Sequence, residues 1–277
     1  MKTARDFPKF ITPMAMIPYF EVDAFANKLF RGNPAGVCPL PKWLDDALMQ
    51  DIAAENNQAE TAFFVPRGDD YELRWFSPAI EIDLCGHATL ASAFILFSEL
   101  GFRGEAVHFH TKSGRLTVSR NGDVFTLDFP SRPPAPSAVP EALVKGLGRK
   151  PLEVLKARDY FCIFPDAEDV RSLQPDFSLL GTLDEKVIVT APGNDCDFVS
   201  RFFAPMAGVN EDPATGSSHC TLIPYWSERL GKKKLFARQL SKRSGEFFCE
   251  NAHDRVLIGG NAVLYSRGQI ELKDIKP

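Results

Sequence analysis

The stretch Trp75–Leu100, WFSPAIEIDLCGHATLASAFILFSEL, constrains the fold of this chain more than any other. It opens as a strand that ends at Pro78 and crosses a short acidic segment with Glu81 and Asp83. It then turns at Cys85-Gly86-His87 into an apolar run that stops before Gly101. A helix that is apolar on nearly every side belongs in an interior. A glycine at a strand-to-helix turn lets backbone amides approach a ligand closely. The free N–H groups and positive dipole end of the following helix favour an anion there. The stretch therefore predicts a small anion cradle with His87 on its lip.

The design recurs. Phe202–Trp226 reads FFAPMAGVNEDPATGSSHCTLIPYW. Phe76-Ser77-Pro78 parallels Phe203-Ala204-Pro205, an offset of 127 residues, and with a one-residue gap Ala88-Thr89 parallels Ala214-Thr215. An apolar helix-like run follows in both. An offset of about one domain length points to a duplicated domain.

The chain has 277 residues, room for one large or two ordinary domains. Hydrophobic residues make up 44% and charged residues 25%, the balance of a soluble globular protein. The net charge of −4 comes with no basic stripe, which argues against nucleic acid as a partner. No apolar run reaches membrane-spanning length. Pro8, Pro13 and Pro18 interrupt the N-terminal stretch, so no signal-peptide core is read there and a cytoplasmic protein is expected. Residues before Met16 read as a loose extension. The six cysteines, Cys38, Cys85, Cys162, Cys196, Cys220 and Cys249, form no C-x-x-C pair, which argues against structural zinc. Most read as buried thiols. His108 and His110 alternate on one strand face. A metal pair or two solvated histidines would both give this pattern, and the second is the more ordinary.

In chain order, Tyr19–Phe25 alternates like a strand. A turn cluster, Phe30-Arg31-Gly32-Asn33-Pro34, precedes the apolar Ala35–Leu40. Asp45–Asn56 has helical spacing, with Leu44, Leu48 and Ile52 on one face, and Asn56-Asn57 ends it. Strands are expected at Ala59–Val65, Tyr71–Phe76, Val107–Thr111 and Arg115–Phe129, the last folded back at Asn121-Gly122. Ser131–Pro140, SRPPAPSAVP, is the proline-rich boundary. A first domain is thus expected over 17–130, a linker over 131–140 and a second domain over 141–261, with 262–277 returning to the first. The second half predicts helices at Glu141–Leu147 and Ala167–Leu173. Its strands are expected near Leu152–Ala157, Tyr160–Phe164, Val187–Thr190 and Asp197–Phe203. After the second cradle come closing strands at Leu235–Leu240, Gly245–Glu250, Arg255–Ile258 and Asn261–Tyr265, and a last strand near Gln269–Leu272.

Glu60 opens the Ala59–Val65 strand where the chain enters the core. A carboxylate beside apolar residues has a raised pKa and can exchange protons near neutrality; a solvated strand-start glutamate is the plainer alternative. His87 stands at a helix N-terminus, where the dipole favours a neutral ring able to donate one hydrogen bond, or a simple cap. In Asp212-Pro213-Ala214-Thr215-Gly216-Ser217, either Asp212 or Thr215 fits an N-cap. Glu81 and Asp83 read as solvated or capping groups.

Four segments together resemble the PhzF-like phenazine-biosynthesis isomerase family. They are Phe30–Val37 (FRGNPAGV), Ala59-Glu60-Thr61, Asp83–Thr89 (DLCGHAT) and Asp212–Ser217 (DPATGS). The match runs in order from Ile17 to the C-terminus. The resemblance implies the diaminopimelate-epimerase-like α+β fold: two similar domains, each a curved or barrel-like mainly antiparallel sheet round a central helix, with the active site in the interdomain cleft. It implies a catalytic Glu60, His87 and Asp212, with Gly86, Gly216 and Ser217 binding substrate. The implied reaction is a proton shift on a small carboxylic acid, with no metal and no organic cofactor, in a homodimer. Preorganised amides would hold the carboxylate or enolate oxygen.

Related epimerases of this fold set two cysteines across the substrate. Cys85 sits where one of them would, whereas Asp212-Pro213-Ala214 offers no thiol, and Cys220 lies later in its helix. A thiol epimerase using Cys85, and a binding protein without turnover, stand as the alternatives to the isomerase.

Overall fold

The computed structural model describes residues 16–272, so the expected extension before Met16 lies outside the described residues. Within them the chain divides into two compact units. The first holds 16–24, Pro34–Leu127 and 262–272; the second holds Phe25–Asn33 and Asp128–Asn261. Among the described residues no helix is long and apolar enough to cross a membrane.

The first unit contains β1 (Met16–Ala24), β2 (Asn33–Pro39), α1 (Asp46–Asn56), β3 (Glu60–Arg67), β4 (Asp70–Phe76), β5 (Glu81–Ile82), α2 (Gly86–Ser98), β6 (Ala106–Thr111), β7 (Gly114–Asn121) and β8 (Val124–Pro130). The chain's last strand, Ala262–Glu271, completes it. That strand is continuous and antiparallel to β1, from Met16↔Glu271 to Ala24↔Ala262. The sequence splits it in two because Ser266-Arg267-Gly268 interrupts the alternation, but the ladder uses backbone groups and continues past a register shift between Glu21 and Val22, which skips Tyr265. In α1 the buried stripe is Met49, Ile52 and Ala53, with Leu48 half-buried, so the expected face is turned by one position. Asn57 closes this helix at φ +49°, donating its N–H to the Ala53 carbonyl. The β7–β8 hairpin pairs Asn121 with Val124, which makes Gly122-Asp123 the loop.

The second unit contains β9 (Ala135–Pro136), α3 (Glu141–Leu147), β10 (Glu153–Lys156), β11 (Tyr160–Ile163), α4 (Ala167–Arg171), α5 (Phe177–Leu180), β12 (Val187–Pro192), β13 (Phe198–Ala204), β14 (Val209–Glu211), α6 (His219–Leu230), β15 (Lys234–Gln239), β16 (Gly245–Ala252) and β17 (Arg255–Gly260). The proline-rich stretch 131–140 lies inside this unit, and its β9 pairs with Leu155 and Lys156 of β10. The one-turn α5 escapes sequence reading. It is too short for a periodicity, and its signal is the Asp176 carboxylate accepting from the Ser178 and Leu179 amides.

The two units repeat one topology. In the first, β2 is parallel to β3, β3 antiparallel to β4, β4 antiparallel to β5, and β4 parallel to β6, which starts the β6–β7–β8 meander. In the second, β11 is parallel to β12, β12 antiparallel to β13, β13 antiparallel to β14, and β13 parallel to β15, which starts the β15–β16–β17 meander. In each, the major helix follows the short strand β5 or β14. A bidentate ion pair marks the equivalent place in both. Arg74 of β4 holds Glu81 of β5 at 2.7 and 2.9 Å, and Arg201 of β13 holds Glu211 of β14 at 2.7 and 3.0 Å. Each guanidinium also lies over the phenylalanine two residues on, Phe76 at 5.2 Å and Phe203 at 4.9 Å. The two arginines keep the 127-residue offset of those phenylalanines. Glu81 is therefore neither solvated nor a cap, because the fork-on-fork geometry captures its carboxylate.

Eleven of the thirteen residues of α2 are buried. Gly101, at φ +70°, lets the chain leave it in the left-handed region. In α6 eight of twelve are buried. Neither Asp212 nor Thr215 is its N-cap; Ser218 is, because a turn over Gly216–Ser218 delays the helix. Cys220 consequently sits in the first turn of α6, not later along it.

The Arg201 guanidinium also donates to the Val170 and Leu173 carbonyls and is the more buried of the two. Arg201→Met is therefore expected to destabilise the second unit by about 3–5 kcal/mol in urea unfolding, as for a buried pair stripped of one partner. Arg74→Met, at a wetter site, is expected to cost less.

Candidate active site

Glu60 is the first residue of β3. The parallel register with β2 sets Ala35 opposite Glu60 and Gly36 opposite Thr61. A Cβ on Gly36 would lie 3.0 Å from the Thr61 hydroxyl and 3.1 Å from the Tyr19 ring, so a side chain there would crowd both side chains. Asn56, at the end of α1, donates to the same Thr61 hydroxyl at 3.3 Å. These contacts fix where Glu60 begins its strand.

His87 is the second residue of α2 and Cys85 the residue before it. His87 Nε2 lies 3.0 Å from Glu60 Oε2, and His87 Nδ1 lies 3.4 Å from Cys85 Sγ. The Glu60 side chain is 20% exposed and that of His87 8%, while the Glu60 Oε2 that faces the ring is itself buried. Burial, then the Glu60 charge, pushes the Cys85 thiol up to about 11, which leaves it protonated at neutrality. For His87, burial works against the imidazolium. The neighbouring Cys85 and Glu60 work for it, and the net direction is well above the ordinary histidine value of 6.5. Because Cys85 is itself a neutral thiol, the Glu60 carboxylate is the charge that holds the proton on the ring. The neutral ring expected from the helix dipole is thus corrected: a full charge at 3.0 Å outweighs half a charge spread over a helix turn.

In the second unit, Asp212 Oδ1 accepts from Asn33 Nδ2 at 2.8 Å, and Oδ2 accepts a short hydrogen bond from the Thr215 hydroxyl. Asn33 also donates to the Ala214 carbonyl at 3.0 Å. The buried Gln239 donates to the Asp212 carbonyl at 2.6 Å and accepts from the Thr215 amide at 2.8 Å. Gly216 is buried and Ser217 half-buried. The Ser217 hydroxyl accepts from Arg158 at 3.3 Å, and Arg158 is braced by the buried Asp159 at 3.0 Å. Cys220 carries a thiol pushed up to about 11 by burial. Asn33, Gln239 and Arg158 are the members that sequence reading does not single out. Asn33 had a signal in the FRGNPAGV motif; Gln239 and Arg158 had none.

Of the residues anticipated from sequence, Glu60, Gly86 and His87 come together in the first unit. Asp212, Gly216 and Ser217 lie on one loop of the second. His108 and His110 have separate partners, Thr117 at 3.0 Å and Asp70 at 2.8 Å.

A family profile described as phenazine biosynthesis-like protein matches residues 22–268. The chain belongs to the PhzF-like phenazine-biosynthesis family. An uncharacterised isomerase of Pseudomonas aeruginosa is 50% identical over 254 residues, covering 91% of this chain and 98% of that protein. The crystal structure of a PhzF-family phenazine biosynthesis protein from Enterococcus faecalis is 48% identical, with a TM-score of 0.91, and covers 93% of this chain and 100% of that one. A hydroxyproline epimerase from Agrobacterium vitis, 12% identical with a TM-score of 0.59 over 95% of both chains, shares the fold alone. The chain is therefore an isomerase of this PhzF-like family, with the α+β, epimerase-like fold that the four segments imply.

A folded pKa raised above its unfolded value stabilises the fold fully below the unfolded value. That stabilisation is lost as pH rises through the folded one. The His87 ring is accordingly expected to stay protonated above pH 6.5, read from its imidazole NMR shifts. Glu60→Gln should bring its midpoint down. A midpoint unmoved by that substitution would remove Glu60 as the cause.

Proposed function

We propose that this isomerase moves a proton between two carbons of a small carboxylic acid, with Glu60 as the general acid and base. The observation that carries this is the 3.0 Å contact between the carboxylate of the partly exposed Glu60 side chain and the His87 ring at the tip of a buried helix. The His87 ring is the counter-group to this carboxylate. The carboxylate can take a proton from a carbon beside the substrate's carboxyl group and return it at another position. The charge that develops on the substrate is an enolate. The amides of Gly86 and His87 at the helix N-terminus would hold that charge, the type of interaction that contributes most to such reactions. No cofactor enters the scheme, because the proton leaves and returns on Glu60.

Asp212, Gly216 and Ser217 belong to the same proposal. The hydrogen bonds from Asn33 and Thr215 hold the Asp212 carboxylate in one orientation. Gly216 and Ser217 offer amides and a hydroxyl beside the Arg158 cation, a setting for a substrate oxygen. We assign these three to substrate binding, with Asp212 also touching the reacting part of the molecule. A homodimer, from the family resemblance, completes the reading and is checked by light scattering.

A thiol mechanism on Cys85 is the second reading, favoured by the 3.4 Å Cys85–His87 contact. The raised thiol pKa weighs against it, since the thiolate is the reactive form.

The test is solvent-deuterium incorporation into a panel of small carboxylates, followed by NMR. Wild-type enzyme should exchange at least one of them. Glu60→Gln should slow that exchange by about 10²–10⁴-fold, the usual contribution of a positioned acid or base. Cys85→Ser should keep most of it, and Asp212→Asn should lower it. Full activity in Glu60→Gln, or collapse in Cys85→Ser alone, would transfer the chemistry to the thiol. No exchange by wild type across the panel would overturn the proton-shift reading.

A further inference from the structure

Glu60, Cys85 and His87 have a second chemical capacity, which the proton shift does not use. Each offers one ligand atom, and the three atoms lie within 4.8 Å of one another. A carboxylate oxygen, an imidazole nitrogen and a sulfur are the mixed donor set that suits zinc and its neighbours in the transition series. Among the described residues no other trio of His, Cys, Asp or Glu meets this spacing.

The separations can be compared with what an ion needs. Zinc binds nitrogen and oxygen at roughly 2.0–2.2 Å and sulfur at roughly 2.3 Å, so a tetrahedral centre sets its ligands roughly 3.3–3.6 Å apart. His87 Nε2 lies 3.0 Å from Glu60 Oε2 and 3.9 Å from Cys85 Sγ, both within about half an ångström of that span. The third separation, at most 4.8 Å, has to close by no more than about 1.2 Å, which a glutamate side-chain rotation can supply. Two of the three ligands are carried by one helix turn and the third by the strand start that Gly36 and Thr61 hold in register. The scaffold is therefore rigid and the missing motion is confined to one flexible side chain.

We infer that Glu60, Cys85 and His87 form a binding site for one thiophilic divalent cation, of which zinc is the natural example, and that its occupancy switches the isomerase off. On binding, Cys85 gives its proton to solvent and binds through sulfur. His87 gives up the proton on Nε2 and binds through that nitrogen. Glu60 binds through one oxygen. Three protein ligands leave a fourth position open, for water or a substrate carboxylate. The cation sits where the proton shift would take place. It occupies the carboxylate that the reaction needs as a base and displaces the imidazolium proton that balances it. The inhibitory part of the inference rests on Glu60 being the base; the binding part does not.

The probe is Co²⁺ added to the full-length chain after dialysis against a chelator. A thiolate-to-cobalt charge-transfer absorption is expected in the near ultraviolet with one cobalt per chain, and Zn²⁺ should bleach it by competition. Cys85→Ser should abolish the band. Glu60→Gln and His87→Gln should weaken cobalt binding by at least the ~10–100-fold that loss of even an outer-shell partner costs. Cys196→Ser, which alters a half-buried thiol outside the cluster, should leave the band intact. Circular dichroism of each variant separates lost binding from lost folding. No band in wild type, or a band that survives Cys85→Ser, overturns the inference. If the band behaves as expected but Zn²⁺ leaves deuterium exchange untouched, the switch is overturned. If Glu60→Gln still exchanges while cobalt binding behaves as expected, the proton-shift assignment is what fails.

Discussion

The structure of the first unit depends on burying a helix, α2, that is apolar nearly all the way round, and the second on burying most of the more amphipathic α6. Water cannot reach the sides of α2, where eleven of thirteen residues are buried, so the strands must cover it, and a mid-helix polar group such as Ser92 bonds the helix's own Ala88 carbonyl. The N-terminal end is where Cys85, Gly86 and His87 stand. The helix that stabilises the unit thereby also decides where its chemistry can be. A charged pair at such a tip is costly to desolvate, and His87 and Glu60 tolerate it because each is the other's counter-ion.

The repeat runs deeper than the letters shared by the two halves. The Arg74–Glu81 and Arg201–Glu211 forks tie a long strand to the short one that leads into the helix. Each arginine also covers a phenylalanine face, so its stem packs while its head binds. This latch sets how the chain approaches each helix, and it recurs at the same offset as the surrounding phenylalanines. What differs is the cradle. In the first unit the helix starts at once after Cys85, and a histidine and carboxylate meet at its tip. In the second a turn over Gly216–Ser218 comes first, and the polar work passes to Asp212, Thr215, Asn33 and Gln239.

These differences explain why duplicated scaffolds carry unlike chemistry. The first tip holds a carboxylate and an imidazole 3.0 Å apart. The second holds a network in which Asn33 and Thr215 bond the Asp212 carboxylate and Gln239 bonds its main-chain carbonyl. Both arrangements follow from which residues fill equivalent places in a single topology.

Much of this was legible in the chain itself. Apolar runs, alternation and turn residues located most elements, and the 127-residue offset exposed the duplication. Four short motifs resembled the family to which the chain belongs, and through that resemblance named Glu60, His87, Asp212 and Ser217 as candidates. Local pattern failed where the deciding partner was distant. Helix-dipole reasoning made His87 neutral, since the carboxylate that reverses it lies 27 residues earlier. The Asn33–Asp212 bond joins residues 179 apart, and the arginine latches join strands that no periodicity links. Sequence determines which groups are available and which local shape each segment prefers, because propensity and burial act over a few residues. Only the folded chain decides which charges become neighbours, because electrostatic and hydrogen-bond energies depend on distance in space, which order along the chain does not supply.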